Sequence, residues 1–384
     1  MPRHPLLLAG QLNRAALARQ RLLERSEEPL LDAVATIAGL QAQEPASPYI
    51  GLWSRLAGFD ASALDAAFLE RRMIKGTFVR ATLHAVSRRD YLDVFPAVLP
   101  MLRRLTRRER GGGPGEDVLE RLAAAALTFA DRPRSNVDLR AHVAEFADGL
   151  EPDDALWWVR RHVPFVHVPS DVPWSFGRRP FLIAAGSWLD GDAFAEEAQA
   201  LEHLVRRYLG GFGPAAAADI AAWSGLPVAR FRPAIAAIDE RGELRRFSDD
   251  RGRELLDLDG APLPDGDVPA PVRFLPMWDS LLLAWADRTR VISDAHRRVA
   301  VGSNGDTLPT FLVDGRVAGL WWAEPAGDQG SGTPRIVLEP FGRLTAADRR
   351  ALESEGERLA AFVAPHEPGV FGRYRRSRAR RTTG

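Results

Sequence analysis

The stretch from Glu196 to Leu258, EEAQALEHLVRRYLGGFGPAAAADIAAWSGLPVARFRPAIAAIDERGELRRFSDDRGRELLDL, decides the fold. A helix over roughly Ala195–Leu209 meets the breaker Gly210-Gly211-Phe212-Gly213-Pro214. A short helix, Ala215–Trp223, leads to the turn Ser224-Gly225-Leu226-Pro227. The next helix, Val228–Arg241, keeps Phe231, Ile235 and Ile238 at three- and four-residue spacing, which makes one apolar face. Two strands, Leu244–Phe247 and Glu254–Leu258, then flank the polar turn from Ser248 to Arg253. Helix, helix, turn, helix, hairpin is the order of a winged helix-turn-helix, whose tight turn can present the last helix to a DNA major groove. Winged helices also serve as protein-contact modules, so the pattern predicts the fold and leaves the role open.

Working outward, a second copy is readable between Asp117 and Leu189. Its helices are Asp117–Ala130, one running to Phe146 behind the cap Ser135-Asn136-Val137-Asp138, and Asp153–Arg161. Its wing strands are Phe165–Pro169 and Pro180–Ala184. The wing tip carries Trp174, Phe176, Arg178 and Arg179. Such a tip either probes a groove or base stack or packs Trp174 on its own domain. The first hundred residues read as a more divergent unit, with helices Leu12–Glu24, Pro29–Leu40 and Asp60–Arg72 and a strand over Thr77–Val86.

After the Pro-, Gly- and Asp-dense boundary Leu258–Pro271 come short strands at Val272–Leu275, Arg298–Val301, Thr310–Val313, Arg316–Trp322 and Arg335–Leu338. A helix over Ala346–Phe362 follows them. The expected architecture is therefore mainly α with β. Three tandem winged helices occupy residues 1–110, 111–192 and 193–262, and a small β-barrel or sheet domain with a basic tail occupies 268–384. No Rossmann or α/β-barrel pattern is visible.

The chain has 384 residues, 46% hydrophobic and 27% charged, and no cysteine, so disulfides and thiolate metal sites are excluded. No apolar run approaches the roughly 18 residues of a membrane span. Leu6-Leu7-Leu8 is too short a run for a signal peptide. A cytoplasmic monomer is expected.

Net charge is zero, but basic residues cluster. Arg103, Arg104, Arg107, Arg108 and Arg110 sit together with the single acid Glu109, and the tail from Arg373 to Arg381 has no acid after Glu367. Lys75 is the one lysine. Guanidinium groups fork phosphates and guanine edges bidentately, and a GC-rich coding sequence would also favour arginine.

Nucleophile elbows, phosphate-binding loops and zinc-helix motifs are absent. His162 and His167 straddle Pro164 at poor ligand spacing, so neither a metal nor a cofactor is expected. Without a nucleophilic lysine constellation a Schiff-base lyase is not expected, and Lys75, the lone candidate, reads as a solvated helix end. Leu40-Gln41-Ala42-Gln43-Glu44-Pro45 reads as the end of an amphipathic helix. Its two glutamines could line a cavity if the helix stops between them, and Glu44 reads as a solvated residue before Pro45. Glutamine is a neutral donor and acceptor that can orient water.

Several stretches together resemble the AlkZ/YcaQ-like family of winged-helix DNA glycosylases. They are Leu12-Asn13-Arg14, Ala18-Arg19-Gln20, Gly39-Leu40-Gln41-Ala42-Gln43, Gly51-Leu52-Trp53-Ser54-Arg55-Leu56 and Arg80-Ala81-Thr82-Leu83-His84-Ala85-Val86. Tyr208-Leu209-Gly210-Gly211-Phe212-Gly213-Pro214 and Leu275-Pro276-Met277-Trp278-Asp279 complete the set. The resemblance implies tandem winged helices around a DNA channel, with Gln41 and Gln43 as the catalytic Gln-x-Gln element. His167-Val168-Pro169 resembles the family's hairpin element, and His162-Val163-Pro164 has the same spelling at a helix end.

Candidate DNA contacts are His167, Pro169, Trp174, Arg178, Arg179, Arg80, Thr82, His84, Arg103 and Arg104. The implied activity is monofunctional excision of N7-alkylguanine or N3-alkyladenine from double-stranded DNA, extending to bulky adducts or crosslinks, in repair or self-resistance. The competing expectations are a winged-helix regulator without catalysis and a protein scaffold.

Overall fold

The computed structural model describes residues 4–109, 113–177, 179–302, 305–326 and 332–374. The N-terminal part runs β1 (Leu6–Leu7), α1 (Ala9–Arg19), α2 (Leu30–Thr36), β2 (Leu40–Gln41), α3 (Ala46–Trp53), α4 (Ala61–Leu69), β3 (Met73–Thr77), β4 (Leu83–Ser87) and α5 (Arg88–Glu109). Next come α6 (Glu116–Phe129), β5 (Arg134–Ser135), α7 (Asn136–Ala144), α8 (Pro152–His162), β6 (Phe165–Val168), β7 (Phe181–Ala184) and α9 (Ala185–Trp188). The stretch quoted at the outset forms α10 (Glu197–Phe212), α11 (Ala217–Ser224), α12 (Val228–Glu240) and the hairpin β8 (Leu244–Asp249) and β9 (Glu254–Leu258). The C-terminal part holds β10 (Arg273–Leu275), α13 (Asp294–Ala300), β11 (Thr310–Val313), β12 (Arg316–Glu324), β13 (Arg335–Pro340) and α14 (Ala346–Val363).

This is a mixed α and β fold. Helix–helix–hairpin order is present where the periodicity predicts it, because those elements depend on local spacing and caps. Ser135, for example, caps α7 by accepting from the Asp138 N–H at 3.1 Å, and the Asp138 carboxylate accepts the Ser135 hydroxyl in return.

The hairpins do not stand apart. β2, β4, β3, β6, β7 and β5 form one sheet in that order, and the seam between the first and second hairpins is the pairing of Gly76 with Val166. β1 adds to β8 in parallel, tying the N-terminus to the third hairpin. One core runs from Leu17 through Val98, Tyr208 and Phe212 to Trp285 and Leu312, so α1, α5, α10 and the C-terminal sheet share it. The second unit packs around its own core, which includes Leu122, Leu139, Val143 and Val159.

Buried ion pairs lock the shared core. Arg19 forks Asp257 at 2.6 and 2.9 Å, and its remaining donors go to the carbonyls of Leu209 and Pro262. Arg55 forks Asp279 at 2.9 and 2.8 Å. Gly213 is required beside the first pair, since a Cβ there would lie 2.6 Å from Arg19 Nη1 and 2.7 Å from Asp257 Oδ1.

Three sequence expectations change, and the expected barrel or sheet is narrowed to a sheet. The strand over Thr77–Val86 is a hairpin, β3 and β4, broken by a 3₁₀ turn at Val79–Ala81. The helix expected over Pro29–Leu40 stops at Thr36. Arg298–Val301 largely belongs to α13, where the Ser293 hydroxyl caps the helix by accepting from the His296 N–H. The C-terminal strands make an open four-stranded antiparallel sheet, β10-β11-β12-β13. The longest helix, α5, was not anticipated, because Pro96 and Pro100 inside it signal a break. Packing overrides them: Tyr91, Val94, Phe95, Val98, Met101 and Leu102 all point into the core.

Candidate active-site cleft

The Gln-x-Gln segment is placed by a turn and a strand. Ala38 and Gly39 take φ 61° and 83° after α2. A Cβ on Gly39 would come 2.8 Å from Val86 Cγ1, so glycine is needed to enter β2. Leu40 pairs with Ala85 and Gln41 with His84, and the Ala42 N–H donates to the Leu83 carbonyl at 2.7 Å. The next donor, the Leu83 N–H, goes to the side-chain Oε1 of Gln43 at 3.2 Å.

Gln41 is buried and accepts from Arg80 Nη2 at 2.8 Å. A guanidinium only donates, so the atom facing it must be the amide oxygen. The other Arg80 terminal nitrogen donates to the Trp223 carbonyl at the end of α11, at 2.7 Å. Arg80 sits in the left-handed region (φ 55°), as does Ala81, a strained placement that aims the guanidinium inward.

Gln43 is exposed on a wall shared by two clefts. The larger, about 650 Å³, is lined among others by Gln43, Glu44, Lys75, Arg160, His167 and Trp174. The smaller, about 340 Å³, is lined among others by Gln43, Thr77, Leu83, Trp157, Arg160 and Arg161. The two glutamines do not share a cavity: Gln41 borders a closed gap of about 10 Å³ with Gln20, Ser47, Arg55 and Asp279.

The β3–β6 seam brings His167 to the same cleft as Gln43. His167 is buried, and burial, reinforced by the charges of Lys75 and Arg160, holds its imidazole neutral well below the usual histidine range. No hydrogen bond holds Arg160 among the described residues, and it faces both clefts.

Several expectations about single residues are corrected by burial. Glu44 is not solvated: its Oε2 accepts from Arg373 and, at 2.7 Å, from the Tyr374 hydroxyl. Lys75 is not at a helix end but buried on β3. Trp174 is buried rather than offered to a groove. It stacks near Tyr49 (4.9 Å) and His366 (4.6 Å), and its indole N–H donates to Glu367 at 2.9 Å. Phe176 is buried with it. His84 is also buried, with Nδ1 3.0 Å from the Thr82 carbonyl, and the Thr82 hydroxyl is engaged by the Val79 carbonyl at 3.1 Å. With Arg80 turned inward, each of these three residues has polar groups engaged within the protein.

Pro169 is half-buried and Arg179 is exposed, while Arg178 lies outside the described residues. Arg103 and Arg104 are exposed on α5, away from both clefts, and donate weakly to the carbonyls of His162 and Gly225. The tail arginines from Arg375 onward lie outside the described residues. Arg160 gave no signal in the sequence, Glu44 and Arg373 stood out there only as a solvated acid and as part of a basic tail, and the solitary status of Lys75 was a signal. Among the described residues no group of acids and histidines could hold a metal ion, and no helix is long and apolar enough to cross a membrane.

The buried histidines have a pH consequence. Burial, reinforced by Arg80, lowers His84 from 6.5 to about 3, so His84 and His167 both stay neutral in the fold where the unfolded chain is protonated. The unfolded state then binds more protons, and stability falls as pH drops below about 6.5. At pH 5 the loss from His84 is about 2 kcal/mol, and His167 acts in the same direction. Thermal unfolding compared at pH 7 and pH 5 should show a clearly lower midpoint at pH 5. An unchanged midpoint would mean that both rings take up protons inside the fold as readily as in the unfolded chain.

The chain belongs to the AlkZ-like family of DNA glycosylases, whose model matches residues 34–362. It is similar to an interstrand DNA cross-link repair glycosylase of Streptomyces sahachiroi, with 23% identity over 364 residues, 90% of this chain and 93% of that protein. The solved structure of Streptomyces sahachiroi DNA glycosylase AlkZ has the same fold. It matches with a TM-score of 0.75 at 20% identity, over 95% of this chain and 98% of that one.

Proposed function

We propose that this DNA glycosylase hydrolyses the N-glycosidic bond of alkylated purines in double-stranded DNA, with Gln43 placing the attacking water. The observation that carries this reading is the exposed Gln43 amide on the common wall of two clefts, one of which also holds a neutral histidine. An N7-alkylguanine or N3-alkyladenine already bears positive charge, so it leaves without a strong general acid. What remains is to position water and to stabilise an oxocarbenium-like sugar, which an amide oxygen can do. Gln41, clamped by Arg80, acts from behind by keeping the segment in register.

In this reading the three helix–hairpin units, over residues 1–110, 111–192 and 193–262, are winged helices, and residues 268–384 form the C-terminal β domain. Arg160, Arg161 and Arg179 grip the sugar-phosphate backbone beside the cleft, His167 and Pro169 touch DNA near the lesion, and Arg103 and Arg104 add a distal contact. A cleft of about 650 Å³ that shares Gln43 with a second one suits a bulky adduct or a crosslinked base, and the interstrand cross-link is the substrate in the name of the Streptomyces sahachiroi relative. Self-resistance to an alkylating natural product is the biological role this substrate class suggests, and a monomer in the cytoplasm suffices for it.

The deciding experiment incubates the protein with duplexes carrying a methyl adduct, a bulky adduct or a crosslink, then cleaves abasic sites with alkali. Strand breaks only in adducted duplexes support the reading, and their absence from all three rejects it. Binding to undamaged duplex should be modest and salt-sensitive. If roughly four to six phosphates are neutralised, log K should fall with log[salt] at a slope of about −4 to −5. A flat response measured by fluorescence anisotropy would remove the backbone contacts assigned to the arginines.

A further inference from the structure

Of 51 basic residues, Lys75 is the one lysine. Everywhere else a guanidinium serves, so this position stands out as one where the chemistry of an amine differs from that of an arginine. Lys75 lies on β3 at 4% exposure and lines the same cleft as Gln43 and His167. Its Nζ rests 4.2 Å from the centre of the Phe176 ring, and among the described residues no hydrogen bond or ion pair holds it. Glu44, the carboxylate whose charge it feels, spends its bonds on Arg373 and Tyr374. A structural cation would be expected to take that carboxylate itself. Burial lowers the Lys75 ammonium to about 8, with Glu44 opposing, so roughly one amine in ten is free at pH 7. A desolvated lysine in an apolar pocket is the usual form of an amine nucleophile toward carbonyl carbon.

We propose that Lys75 attacks C1′ of the abasic deoxyribose left by base excision, which gives this enzyme a strand-cleaving lyase activity. The amine adds to the C1′ aldehyde of the ring-opened sugar, and one water leaves as the C=N bond forms. The resulting iminium acidifies the C2′–H bond. That proton passes to the neutral imidazole of His167, and the electron pair expels the 3′ oxygen, so the C3′–O bond breaks and the phosphate leaves with its electrons. Water then hydrolyses the unsaturated imine and restores the amine. No oxidant or reductant is consumed.

The proposal rests on the reading of this cleft as the excision site, but its test does not require excision. A duplex with a preformed abasic site is incubated with the full-length protein and sodium borohydride, which reduces the imine to a stable amine. The expected result is a covalent protein–DNA complex whose adduct maps, after trypsin digestion, to the peptide Met73–Arg80. Lys75→Arg, which keeps a cation but cannot form the imine, should lower trapping at least tenfold. The absence of a trapped complex, an adduct on the N-terminal amine, or equal trapping by Lys75→Arg each overturns the proposal. Should Lys75→Arg fail to fold, the mapping on the unaltered protein decides alone. Base release from alkylated duplex is measured in parallel. Release without trapping removes only the lyase activity, and trapping without release removes only the excision reading.

Discussion

Gln43→Ala should lower single-turnover excision from alkylated duplex by about 10²–10³, the loss of one preorganised polar contact worth about 3–4 kcal/mol at a transition state. DNA affinity should barely change, because Gln43 makes a single internal bond, from the Leu83 N–H, and lies exposed at the cleft wall. In the free protein that bond parks the amide oxygen, and exchanging it for water or sugar costs little, since the Leu83 N–H can turn to solvent. Gln43→Asp should retain part of the activity, as a carboxylate accepts from water and faces a sugar cation favourably.

The rival for this role is Glu44. Its buried carboxylate is bound by Arg373 and Tyr374, which makes it a poor mobile base. Glu44→Gln should therefore keep excision within about tenfold, less than the loss of a preorganised transition-state contact. Near-normal excision by Gln43→Ala together with abolition by Glu44→Gln would transfer the water-positioning role to Glu44.

The largest stability effect is expected at the Arg19–Asp257 pair. Asp257→Ala should destabilise the protein by about 3–5 kcal/mol, the cost of leaving one member of a buried ion pair without its partner. Asp257 is fully buried and Arg19 is 1% exposed, and the pair joins α1 to β9 and to the end of α10. Two hydrogen bonds from Arg19 to the Pro262 carbonyl and one to Leu209 would survive, so the charge would be partly solvated by backbone dipoles but not neutralised. Urea unfolding followed by tryptophan fluorescence measures the change. A shift under about 1 kcal/mol, the size of a surface pair, would mean that water reaches this site.

The motifs that resemble the AlkZ/YcaQ-like family turn out to serve mostly this internal framework. Asn13 donates to the carbonyls of Arg290 and Gly315, Gln20 to Gly211, and the Tyr208 hydroxyl to Ala284. Arg55 and Asp279, from two of those motifs, pair with each other. A family can thus be identified from residues that never meet the substrate, because buried polar groups are intolerant of change once each has its partner.

Much of the architecture was legible in the sequence. The helices α6 to α8 and α10 to α12, and the hairpins after them, follow from apolar spacing, caps and glycine turns, all interactions within a few residues along the chain. Gln41 and Gln43 were legible through the family resemblance. Their surroundings were not. The sequence could not show that α2 stops early and delivers Gln41 to a strand, or that Glu44, Lys75 and Trp174 are buried. Each depends on a partner far along the chain: Arg80 with Gln41, Arg373 with Glu44, Phe176 with Lys75, Glu367 with Trp174. The sequence alone determined the local elements and their order, since short-range sterics and hydrogen bonds suffice for them. Only the tertiary structure decided the cleft. It exists because the first and second hairpins meet at Gly76 and Val166, which sets His167 beside Gln43 and closes water away from a lone amine.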